Sequence, residues 1–235
     1  PQAILFDMDD TIILWETPYQ TVWESAIQRF RLKLGDLTPE QLYDTIRSVS
    51  KWYWSDSERH RLGRLNLPEA RREITRLAFT RLGRKDFELA QSIADVYSFE
   101  REQSGTIVAG TIGTLEILRK RGIRLAMVTN GGADIQRAKI AKFYLAPFFD
   151  YILIEGEFGC GKPDERVFRH ALEKLDVPPE DAWMVGNDLE FDIAPCSNLG
   201  IYSLWVDATH TGLPDGTEIR PDRIIGSISE IPGLL

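Results

Sequence analysis

Four short apolar runs, each stopped by polar residues, constrain this chain more than any other feature. They are Ala3–Phe6, Ile123–Val128, Tyr151–Ile154 and Trp183–Val185. Each is too short for a helix and, Arg124 apart, apolar without alternation, so each reads as a buried strand. Tyr202–Val206 makes a fifth. Helical patterns alternate with them over Thr111–Arg121, Asp134–Phe143, Asp164–Leu175 and Asp192–Leu199, and Ser227-Ile228-Ser229-Glu230 caps a last short helix. Alternation of this kind implies βαβ units and an α/β fold with a doubly wound, Rossmann-like parallel sheet.

Between the first and second runs the pattern is helical throughout. Tyr19, Val22, Trp23, Ala26, Ile27, Phe30 and Leu34 make one apolar stripe, which Gly35 is placed to end. Thr38-Pro39-Glu40-Gln41 reads as a capping box that starts a second helix, carrying Leu42, Ile46, Val49 and Tyr53. A third helix is expected over Pro68–Leu82, and a fourth starts at Asp86. Residues 15–104 are therefore expected to form a four-helix cap inserted into an α/β core of residues 1–14 and 105–235.

A formal charge of -8 argues against a nucleic-acid-coating surface, whose footprint is basic, but not against a small anion in a local basic pocket. Cys160 and Cys196 alone make no disulfide framework. With no signal peptide and no membrane-length apolar run, a cytoplasmic setting without membrane contact is expected.

Ligands of open α/β sheets sit beyond the carboxyl ends of the strands, so the residues after each run carry the functional reading. Ala3–Phe6 stops at Asp7-Met8-Asp9-Asp10-Thr11. Crowded carboxylates repel and need a counter-charge, which points to a bound cation. Ile123–Val128 is followed by Thr129-Asn130-Gly131-Gly132, whose main-chain N–H groups suit an anion. Lys162 follows the third run, and Gly186-Asn187-Asp188-Leu189-Glu190-Phe191-Asp192 the fourth.

These parts suit phosphoryl transfer on a metal. Asp7 is the candidate nucleophile, Asp9 the candidate acid and base, and Lys162 a neutralising charge. Thr129, Asn130, Gly131 and Thr11 are candidates to hold phosphoryl oxygens. Mg²⁺, a hard cation taken by oxygen donors, is the ion expected to balance Asp7, Asp9 and the phosphate.

In these motifs the chain resembles the haloacid dehalogenase superfamily, in its phosphatase branch with a helical cap inserted after the first motif. The family's Asp-x-Asp-x-Thr corresponds to Asp7–Thr11, its strand-end threonine to Thr129, its lysine to Lys162 and its acidic loop to Gly186–Asp192. The resemblance implies a Mg²⁺-dependent phosphatase acting on a small phosphorylated metabolite through an aspartyl-phosphate, with the cap closing over the core and choosing the substrate. One departure is Asn187, which stands where the family usually carries aspartate directly after glycine. Either its amide oxygen ligates magnesium, or the loop shifts and Asp188 does so; Asp188, with Asp192 in support, is the preferred choice. The dehalogenase members lack an acid at the position of Asp9, because a departing halide needs no proton.

The rivals are a sugar-phosphate mutase, a 2-haloacid dehalogenase and a non-catalytic binding protein. Gly156, Gly161 and Lys162 match a P-loop spacing, but Pro163 stands where a magnesium-binding hydroxyl would be. The run Trp52–Arg61, with Arg64, Arg71 and Arg72, is either a substrate grip or aromatic core beneath a solvated arginine face, and the second carries more weight.

Overall fold

The computed structural model describes residues 1–235. The chain forms two compact units, one of Pro1–Leu14 with Ile107–Leu235 and the other of Trp15–Thr106. In chain order the strands are β1 (Ala3–Phe6), β2 (Ile13–Trp15), β3 (Gly105–Ile107), β4 (Arg124–Thr129), β5 (Tyr151–Ile154), β6 (Ala182–Gly186), β7 (Tyr202–Val206) and β8 (Arg223–Ile225). The helices are α1 (Tyr19–Gln28), α2 (Pro39–Trp54), α3 (Ser57–Leu65), α4 (Leu67–Arg81), α5 (Phe87–Gln103), α6 (Thr111–Lys120), α7 (Ala133–Lys142), α8 (Glu155–Phe158), α9 (Glu165–Leu175) and α10 (Ala194–Leu199).

Six strands form one sheet in the order β5-β4-β1-β6-β7-β8, and every neighbouring pair is parallel. β2 and β3, the two connecting segments, form a small sheet of their own. β1 lies inside the large sheet, and its four side chains are all fully buried. That is why Ala3–Phe6 is apolar without alternation. On one face Ala3, Leu5, Val128 and Met184 pack with Val167, Phe168 and Leu172 of α9 and with Cys196 of α10. Because the strands run in one direction, Asp7, Asn130, Glu155 and Asn187 all follow strand ends on the same edge of the sheet.

The helical unit holds a separate core that includes Trp23, Ile27, Ile46, Phe79 and Ile93, with Trp23 and Tyr97 stacked at 3.7 Å between ring centroids. It also contains a cavity of about 780 Å³ lined in part by Trp23, Tyr43, Arg47, Trp54 and Tyr97. The capping box at Thr38 has both of its hydrogen bonds, to and from Gln41.

Several elements differ from the sequence reading. The first stripe is not one helix: α1 stops at Gln28, Arg31–Lys33 makes a 3₁₀ turn, and Gly35 takes a φ of +67°. The helical unit has five helices rather than four, because Asp56 caps an extra one, α3, that begins within the polar-aromatic run, while Asn66 caps the expected third. Arg59 lies 4.1 Å over the Trp52 ring and donates to the carbonyls of Trp52 and Tyr53. Arg72 pairs with Asp95 at 2.6 Å. These two arginines brace the helices to one another, and β8 adds a sixth strand to the sheet.

Candidate active site

Asp7 is held at the end of β1 by its main-chain N–H, which donates to Val185 O of β6 at 2.9 Å. Its side chain is buried, and Lys162 Nζ donates to its Oδ1 at 2.6 Å. The same ammonium donates to Asp192 Oδ1, also at 2.6 Å. Lys162 is 2% exposed, so one buried cation lies between two buried carboxylates.

This arrangement sets the electrostatics. Burial raises the Asp7 carboxyl to about 7, with Lys162 pulling it down and Asp192 adding to the rise. Burial raises Asp192 as well, again against Lys162. For Lys162 burial works against the charge, and the two carboxylates override it, so the ammonium is held above its ordinary range. One lysine does not balance two buried carboxylates, and the group as a whole still favours a further positive charge.

The lysine is fixed by its loop. Asn130 Nδ2 donates to Lys162 O at 2.8 Å, and Lys162 N donates to Asn130 Oδ1 at 2.7 Å. The Asn130 side chain is thus committed to holding the lysine, and the P-loop spacing that ends at Lys162 leads to an ion pair rather than a phosphate cradle. Gly131, at φ +115°, donates its N–H to the buried Glu155 carboxylate at 2.9 Å. Gly131 was expected to offer that N–H to substrate, and the Glu155 bond corrects the expectation.

The acidic loop also corrects the sequence reading. Asp188 is exposed, and its Oδ1 accepts from Glu190 N and Phe191 N, each at 2.9 Å, capping a π turn over Leu189–Ile193. Asp192 has one oxygen on Lys162 and the other on Asp188 N at 3.0 Å. A Cβ on Gly186 would fall on the Asp192 carboxylate, which is why β6 ends in glycine. Of the expected metal ligands, Asp7 and Asp192 meet at Lys162, whereas the Asp188 side chain is committed to its own turn, and no group of three or more His, Cys, Asp or Glu is arranged to hold a metal. Asn187 is the loop residue turned to the first motif, its Oδ1 accepting from Thr11 Oγ1 at 3.3 Å. Its carbonyl accepts from Trp205 Nε1 at 2.8 Å.

Asp9 has partners that sequence reading missed. Lys139 Nζ donates to Asp9 Oδ1 at 2.8 Å and Oδ2 at 3.0 Å, and Gln136 Nε2 donates to Oδ2 at 2.9 Å. Gln136 also donates to Thr129 Oγ1 at 2.6 Å. Gln136 and Lys139 lie three apart on the buried side of α7 with Ile140, a placement that the sequence pattern alone does not mark. Cys160 is no activated nucleophile, since burial pushes its thiol up. None of the helices is long and apolar enough to cross a membrane.

A parallel α/β sheet that presents a carboxylate–lysine–carboxylate group and a third carboxylate, Asp9, at its carboxyl edge is a frame suited to a hydrolase. The sequence model of the haloacid dehalogenase-like hydrolases matches residues 1–200, and the chain belongs to that family. It is 38% identical over 145 residues to a phosphoserine phosphatase of Thermus thermophilus, a match that spans 61% of this chain and 57% of that protein. It is 32% identical to an N-acylneuraminate-9-phosphatase of Rattus norvegicus, over all of this chain and 93% of that one. Among solved structures, a 2-haloacid dehalogenase of Pseudomonas syringae pv. Tomato superposes with a TM-score of 0.66 at 28% identity, covering 99% and 97% of the two chains.

Proposed function

We propose that the chain is a Mg²⁺-dependent phosphatase that hydrolyses a small phosphate monoester through an aspartyl-phosphate on Asp7. The observation that carries this reading is the pairing of a buried, lysine-held Asp7 with a second carboxylate, Asp9, two residues on at the same strand end. The kinship to phosphatases supports it. Asp9 also separates this reading from dehalogenation, because an alkoxide must leave with a proton and a halide need not.

The donors at the site fit a hard cation. Mg²⁺ commonly takes one or two protein carboxylates together with waters and substrate oxygens, which suits a site where Lys162 already engages Asp7 and Asp192. Asp7 and the Asn187 amide oxygen would hold it. Asp9, its carboxylate oxygens turned to Lys139 and Gln136, would contribute through its main-chain carbonyl. When bound, the ion would supply the missing positive charge beside Asp7 and the phosphoryl oxygens.

In the first step an Asp7 carboxylate oxygen bonds to phosphorus. The P–O bond to the leaving group breaks with its electron pair on oxygen, which takes a proton from Asp9. In the second step Asp9 removes a proton from water as its oxygen attacks phosphorus, and the Asp7–phosphorus bond breaks. Lys162 keeps Asp7 in place and offsets charge. Thr129 Oγ1 accepts from Gln136, and its own O–H, which lies 3.5 Å from Asn130 O, would turn to a phosphoryl oxygen. The helical unit is assigned the choice of ester.

The test is phosphate release from a broad panel of phosphate monoesters, with Mg²⁺ or with chelator. Release that needs Mg²⁺ is the expected result, with no halide from 2-haloacids. No release from any ester would contradict the reading, and isomerisation without release would replace it with a mutase.

A further inference from the structure

The α7 helix sends two polar side chains inward where amphipathic patterning would place apolar ones. Gln136 is 2% exposed and Lys139 8%. Taking an ammonium out of water is costly unless a partner offsets it, and the Asp9 carboxylate provides that partner through two bonds. Gln136 Nε2 reaches Asp9 Oδ2 at 2.9 Å, Thr129 Oγ1 at 2.6 Å and Asn130 O at 2.8 Å. One amide nitrogen therefore ties the acid of the first motif to the end of β4.

We propose that Lys139 and Gln136 are positioning residues for the proton transfers of Asp9. The inference rests on the phosphatase reading above. The Asp9 side chain is about a third exposed, and an untethered carboxyl on a turn would sample several rotamers. Fixing it in one orientation removes that freedom before the reaction starts. The tether also leaves room for the proton: Oδ2 accepts from both Lys139 and Gln136, whereas Oδ1 accepts from Lys139 alone and keeps a lone pair. The proton leaves Oδ1 for the departing alkoxide in the first step and returns to it from water in the second, so the carboxyl ends the cycle as it began.

This role has a signature that a merely structural one lacks, because 4-nitrophenolate departs without a proton and an alkoxide does not. The measurement is kcat/KM on 4-nitrophenyl phosphate and on the best alkyl phosphate of the panel, for wild type, Lys139→Met and Lys139→Arg. Lys139→Met is expected to lose roughly 10–100-fold on the alkyl ester, as outer-shell partners of site groups do. On the 4-nitrophenyl ester it is expected to lose less than about 3-fold, which also shows that the protein is folded. Lys139→Arg should restore most of the loss. In an Asp9→Asn background Lys139→Met should add nothing, since the two act as one unit.

Equal losses on both esters, or an undiminished loss in the Asp9→Asn background, would overturn the inference while the phosphatase reading stands. If wild type cleaves neither ester, that reading falls and takes the inference with it. If Lys139→Met does not fold, Lys139→Gln, which loses the charge but keeps a donor, reads the same ratio with the same expected direction.

Discussion

Lys162→Met is expected to remove activity and to destabilise the α/β unit more than any other single change at the site. Lys162 is the shared partner of two buried carboxylates. Breaking a buried ion pair by removing one partner typically costs about 3–5 kcal/mol, because the remaining charge has no compensation. Here two charges would be left. Methionine fills a similar volume, so the loss is chiefly electrostatic. The pH dependence has a definite sign in chelator. Burial already raises Asp7 to about 7 and raises Asp192, and without the lysine both must rise further. A group whose folded pKa lies above its unfolded one stabilises fully only at low pH, and that stability is lost as pH rises through the folded value. The variant should therefore melt closer to wild type at pH 5 than at pH 8. Thermal melts across that range check it, and a uniform deficit would contradict the account.

Asp7→Asn is expected to abolish turnover, by at least about 10⁴-fold, while leaving the fold intact. Loss of a nucleophile in a covalent mechanism removes the pathway rather than weakening it. The asparagine keeps the shape and an acceptor oxygen for Lys162. It also removes the carboxylate that repels Asp192, so the melting temperature in chelator should be equal to wild type or higher. Such a separation of activity from stability is common where site residues are held under electrostatic strain. Turnover within about tenfold of wild type would exclude Asp7 as the nucleophile.

The elements legible in the sequence were those whose chemistry is local. β1 announces itself because a strand buried on both faces must be apolar throughout, and the boxes at Thr38 and Ser227 because their side chains bond within one turn. The helix over Ser57–Leu65 was hidden because it buries only Gly63 and so carries no apolar stripe. At the site, spacing put Asp7, Lys162 and the acidic loop on one edge. It could not tell which oxygens were already engaged. Asp188 belongs to a π turn, and the Gly131 amide to Glu155. Lys139 and Gln136 were missed because a polar residue on a helix reads as solvated until the packing shows it inward.

The most direct test of the central claim is a rapid acid quench during turnover of a ³²P-labelled ester, followed by borohydride reduction and peptide mapping. An aspartyl-phosphate on Asp7 predicts transient label on the protein and reductive conversion of that one side chain, both absent in Asp7→Asn. Steady phosphate release with no labelled protein at any quench time, or label on a different residue, would contradict it.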